Sequence, residues 1–187
     1  MTAPNPAAGS PDRGAASASV SRWGFSAGPS PLACGLGIAL LSLLADRLSK
    51  WWLLARFGIE TRPPVRLAPF FNLVMVWNPG VSFGLFSRHA GWGRFALTAF
   101  ALVVAVALIV WMARARSKFV ACGLGLIIGG AVSNAWDRVA YGAVADFLDF
   151  HLAGYHWYAF NVADAAITVG AGFLLLDSLF GEQGRRR

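Results

Sequence analysis

Two aspartates, Asp146 and Asp164, stand in strongly apolar settings, AVADFLDF and FNVADAAI, with no cation beside either in sequence. Burial in such surroundings raises the pKa of at least one of them. Two carboxylates that approach each other share a proton, which leaves one as base for a water molecule and the other as acid. That is the chemistry of an aspartic peptidase. The structural alternative has Asp164 capping the last helix and Asp146 facing water. Asp149, three residues after Asp146, competes for the same role, and spacing alone does not separate the two.

Other polar residues bracket this pair. Asp46 and Lys50 lie four apart, share a helix face and can form an ion pair or position a substrate. Asp137 is followed at once by Arg138, a built-in counterion, and Asn134 lies one turn earlier. Such a set fixes helix ends and loops more readily than it performs chemistry. Asn78 and Asn161 flank the second and fourth apolar segments. His89, His151 and His156 lack metal-ligand spacing, Cys34 and Cys122 have no adjacent histidine, and Ser82 and Ser133 lack an evident base. No metal or cofactor is expected.

The elements that must position these groups are membrane spans. Of 187 residues, 57% are hydrophobic and 13% charged, and the apolar residues run in stretches too long for soluble core helices. Four stand out, at about Leu32 to Leu54, Phe95 to Met112, Phe119 to Ser133 and Val162 to Phe180. The third is rich in glycine, which suits a tightly packed central span. Trp23, Trp51, Trp92 and Trp111 fall near span ends, as an interfacial belt requires. The net charge of +7 sits in short clusters beside the spans, Arg114/Arg116/Lys118 and Arg185 to Arg187, a topology signal rather than a nucleic-acid surface. Positive charges then place both termini in the cytoplasm.

Residues 1–30, rich in Ala, Ser, Pro and Gly, read as a disordered cytoplasmic tail; residues 31–181 form the membrane domain and 182–187 a basic tail. Between spans, FFNLVMVW and the stretch Val144 to Tyr158 have strand character and are expected to build a small sheet on the outer membrane surface. The fold class is therefore membrane all-α, four transmembrane helices with a small β-sheet platform. Alternating helix directions bring Asp46, Lys50, Asn78, Asn134, Asp137, Arg138, Asp146, Asp149, Asn161 and Asp164 to the same outer face. Ionisable groups at membrane depth are costly, so their convergence argues for a site.

Five motifs, in order, then resemble the lipoprotein signal peptidases, or signal peptidase II family: Asp46-x-x-x-Lys50, NPGVSF from Asn78, GGAVSNAWDR from Gly129, VADF from Val144 and FNVAD from Phe160. The resemblance covers nearly everything from Pro31 onward. It implies an endopeptidase of the bacterial inner membrane that removes signal peptides from diacylglyceryl-modified prolipoproteins, with its site at the periplasmic face and membrane lipids around it; a monomer is expected, though nothing in the sequence fixes the oligomeric state. It implies Asp146 and Asp164 as the catalytic pair. Asp46, Lys50, Asn78, Gly80, Asn134, Asp137, Arg138 and Asn161 would line or brace the site, and Asp137 matches a further aspartate of the motif. Two small departures concern packing: Ser133 stands where glycine is usual, and Ala145 where a second valine is common. From another class, a small ion- or proton-coupled transporter would need charges spread through the bilayer and an inverted repeat. A non-catalytic scaffold would leave the convergence of Asn and Asp unexplained.

Overall fold

The computed structural model describes residues 28–80 and 90–185, with side chains described up to 180 and from 93 in the second segment. Four helices are long and apolar enough to cross a membrane. Helix α1 spans Pro31–Trp51 and continues into a π-helical turn, Trp52–Phe57, that ends at Gly58. Helix α2 covers Ala90–Arg114, α3 Lys118–Ala140 and α4 Val162–Arg185. The third span continues seven residues past the apolar run that ends at Ser133. It carries Asn134, Asp137 and Arg138 on its last two turns, so these are helical residues with fixed directions.

The helix starts have local causes. Ser30 caps α1 through Ala33 N–H at 3.2 Å, with Pro31 in the first turn, where its missing donor costs nothing. Ser117 caps α3 through Val120 N–H at 3.4 Å. Helix α3 is the most buried of the four and packs against the other three. A Cβ on Gly125 would collide with the backbone of Gly35, on Gly129 with the carbonyl of Ala39, and on Gly130 with that of Ala163. Small residues thus bring α3 into backbone contact with both α1 and α4, as expected from its composition.

Four antiparallel strands, β1 (Val65–Ala68), β2 (Phe71–Asn78), β3 (Val144–Leu152) and β4 (Tyr155–His156), form one sheet in that order. Strands β1 and β2 connect α1 to α2, and β3 and β4 connect α3 to α4. The sheet therefore sits at one end of the bundle, the end at which α1 and α3 finish and α4 begins. Both expected strand segments are present. The tail 1–27, the loop 81–89 with Ser82 and His89, and the last two arginines lie outside the described residues.

Candidate active site

Asp46, Lys50, Asn78, Asn134, Asp137, Arg138, Asp146, Asp149, Asn161 and Asp164 all lie at this end of the bundle. Asp146 comes from β3, where it pairs with Val76 of β2. Asn78 is opposite Val144, hence a diagonal neighbour of Asp146 on the same sheet face, and its amide donates to Asp146 Oδ2 at 3.0 Å. Asn161 donates to the other oxygen, Oδ1, at 2.7 Å. Asp164 opens α4, and its Oδ1 accepts from the Asn134 amide at 2.7 Å. Asn161 also donates to Asn134 Oδ1 at 3.2 Å, so one chain of amides runs from Asp146 to Asp164.

Asp164 caps its helix as well. Its N–H donates to Asn161 Oδ1 at 2.9 Å, and the Asn161 N–H returns to Asp164 Oδ2 at 3.2 Å, a reciprocal capping box. Capping and membership of the site are thus compatible. Asp146 does not face water: it is 2% exposed. Burial pushes its carboxyl up to about 6 and repulsion from Asp164 adds to this, against the hydrogen bonds from Asn78 and Asn161 and the charge of Lys50.

Strand geometry separates Asp149 from Asp146. Residues three apart on a strand point to opposite faces, and Asp149 accepts instead from Asn72 at 3.0 Å and meets His156 Nδ1 at 2.9 Å. Burial pushes Asp149 up, but these hydrogen bonds win and hold it below the ordinary carboxylate range.

Beneath the aspartate pair lies an ionic layer between α1 and α3. Lys50 Nζ is 2.7 Å from Asp46 Oδ2 and 2.7 Å from Asp137 Oδ2, and it donates to Asn134 Oδ1 at 3.3 Å. The expected Asp46–Lys50 pair is therefore present, but the expected Asp137–Arg138 pair is not. Asp137 is paired with Lys50 and with Arg47 of α1. Adjacent helical residues point about 100° apart, so Arg138 turns toward the aspartates and donates to the Asn134 carbonyl at 3.3 Å. Arg47 and Ser133 are contributors that sequence reasoning missed. The Ser133 hydroxyl donates to Asp46 Oδ2 at 2.6 Å, and the Ala163 N–H to Asp46 Oδ1 at 2.9 Å, which ties α1, α3 and α4 together. A helical wheel could have placed Ser133 four residues before Asp137; nothing in the sequence pairs Arg47 across ninety positions.

Gly80 closes the Asn78 turn. Its φ is +80°, which favours glycine, and its N–H donates to Asn78 Oδ1 at 2.8 Å, orienting the amide toward Asp146. A side chain there would also meet Leu97 and approach Arg138. A cleft of about 480 Å³ lined by Tyr158, Phe160, Asp164, Thr168 and Val169 opens beside Asp164 along α4.

A multi-span helical bundle with a polar site on a terminal sheet defines the class: a membrane protein with an enclosed cluster of carboxylates. Residues 38–180 match the family model described as signal peptidase (SPase) II, and the chain belongs to that family. It is 49% identical to the lipoprotein signal peptidase of Methylocella silvestris over 83% of this chain and 91% of that one. Identity to the corresponding protein of Methylobacterium sp. (strain 4-46) is 51%, over 81% and 92% of the two chains. Among solved structures it resembles a bacterial membrane enzyme with TM-score 0.67 and 25% identity over 78% of this chain and 92% of that one. A second bacterial membrane enzyme, 22% identical with TM-score 0.66, has the same fold.

Proposed function

We propose that this chain is a membrane-embedded aspartic endopeptidase that removes signal peptides from diacylglyceryl-modified prolipoproteins at the periplasmic face of the bacterial inner membrane. Membership of the signal peptidase II family supports a protease acting on prolipoproteins. The observation that carries the chemistry is the amide-linked pair of Asp146 and Asp164, with the Asp146 carboxyl pushed up to about 6.

In this reading one aspartate takes a proton from water as the water attacks the scissile carbonyl, whose oxygen the other aspartate protonates. The intermediate then collapses with cleavage of the C–N bond, the first aspartate passing its proton to the leaving amine and the second recovering its own. Charge counting favours a shared proton. Asp46, Asp137, Asp146 and Asp164 face Arg47, Lys50 and Arg138, and one proton brings this partly buried group to neutrality. Asn78, Asn134 and Asn161 hold the pair, while Asp46, Lys50 and Asp137 brace the helices beneath it. Arg138 lends a positive field to both aspartates. The cleft along α4 gives an apolar path by which a lipidated segment reaches Asp164 from the bilayer. Asp46, Lys50, Asp137 and Arg138 gather in one layer on the sheet side of the spans instead of spreading through the bilayer depth, which disfavours a transporter.

Cleavage of a diacylglyceryl-modified precursor by the purified protein in chelator tests the proposal. Release of the signal peptide there, and none from the unmodified precursor, is expected. Absence of cleavage, or cleavage abolished by the chelator, overturns it.

A further inference from the structure

Away from the aspartates, the outer side of the α1–α3 contact carries a second pocket of about 280 Å³, lined by Arg47, Trp51, Leu54, Trp136 and Tyr141 with Lys50 at its base. Trp51, Trp136 and Tyr141 are more than half exposed. They ring the end of two membrane-spanning helices, the level at which aromatic side chains meet head groups.

The π-helical turn places a further cation beside this pocket. Arg47 and Trp51 are four apart on α1 and share a face. In an α-helix Arg56, five residues beyond Trp51, would point away; the wider i→i+5 winding of Trp52–Phe57 returns it to the same side. Its guanidinium carbon lies 5.6 Å from the centroid of the Trp51 ring. Arg47, Trp51 and Arg56 thus form one column, of which Arg47 and Trp51 line the pocket and Arg56 stands against the Trp51 ring.

The charges of this column are unequally neutralised. Arg47 is paired with Asp137, and Lys50 with Asp46 and Asp137. Arg56 has no carboxylate partner among the described residues. Glu60, the acid one turn ahead of it, accepts instead from Trp77 Nε1 at 3.1 Å. The result is an aromatic-backed, exposed cation beside a pocket at the end of two apolar helices.

We infer that this pocket binds the phosphate of an anionic phospholipid, with Arg56 as the recognising cation and Trp51, Trp136 and Tyr141 packing the glycerol and upper acyl chain. The ligand chemistry is a phosphodiester of net negative charge. A head group that carries its own cation would meet Arg56 with no net attraction, so anionic lipid is favoured over zwitterionic. The inference is independent of the peptidase reading, because lipid retention is read without substrate.

The test uses the full chain in detergent with equimolar phosphatidylglycerol and phosphatidylcholine, the retained lipid being read by native mass spectrometry. The protein is expected to retain phosphatidylglycerol several-fold over phosphatidylcholine. Arg56→Gln should lower that selectivity roughly fivefold, the worth of one interfacial cation, while Arg56→Lys keeps most of it. Equal retention of the two lipids, or selectivity unchanged in Arg56→Gln, overturns the inference. Displacement of phosphatidylglycerol by millimolar inorganic phosphate also overturns it, since the site would then recognise free phosphate rather than a membrane lipid.

Discussion

Asn161 donates its side-chain amide to Asp146 at 2.7 Å while its own N–H and carboxamide oxygen cap Asp164. One residue therefore sets the position of both carboxylates, one on the sheet and one on a helix. Asn161→Ala removes the amide link and the cap together. The expected result is a rate at least tenfold lower on a lipidated precursor, with stability lower by about 1 kcal/mol from the lost cap. Single-turnover cleavage and thermal unfolding in detergent measure the two effects separately.

The raised Asp146 carboxyl gives the enzyme a pH signature. If its ionised form takes the proton from water, kcat/KM falls as pH is lowered through about 6. Stability has the opposite slope. The folded state holds this proton more tightly than the unfolded chain, so stability present below pH 3.8 is lost as pH rises toward 6, by on the order of 2–3 kcal/mol. Asp146→Asn should flatten that slope in a pH series of melting temperatures.

Lys50 is 1% exposed between two buried carboxylates. Lys50→Met leaves Asp46 without a cation and Asp137 with Arg47 alone, and is expected to destabilise the bundle by about 3–5 kcal/mol. Unfolding in detergent checks this; a loss under 1 kcal/mol would show that the ionic layer does not hold α1 to α3.

Gly129 faces the Ala39 carbonyl so closely that a Cβ cannot fit. Gly129→Val must separate α1 from α3, and with them Lys50 from Asp137. Reduced thermal stability and lowered activity together are expected, whereas Gly37→Val, where nothing lies within 4 Å, should change neither.

Much of this architecture was legible in the chain. Apolar runs mark the spans because a helix must be about twenty residues long to cross hydrocarbon, and alternating spans bring Asp46, Asn78, Asn134, Asp146, Asn161 and Asp164 to one end. The pairing of charges was not. Asp137 looked partnered by its neighbour Arg138, yet helical geometry turns the two apart and Arg47, ninety positions away, takes that place. Asp149 could have been set aside by strand alternation once Val144–Leu152 was known to be one continuous strand. Helix α3 reaches Ala140 because burial against α1 and α4 sustains it through the polar residues Asn134, Asp137 and Arg138 that follow its apolar run.

The central claim is that Asp146 and Asp164 act as one catalytic pair. Asp146→Asn and Asp164→Asn keep shape and most hydrogen bonds, so each should fold with wild-type helicity yet cleave a diacylglyceryl-modified precursor at least about a hundredfold more slowly. Wild-type cleavage by either variant would contradict the account.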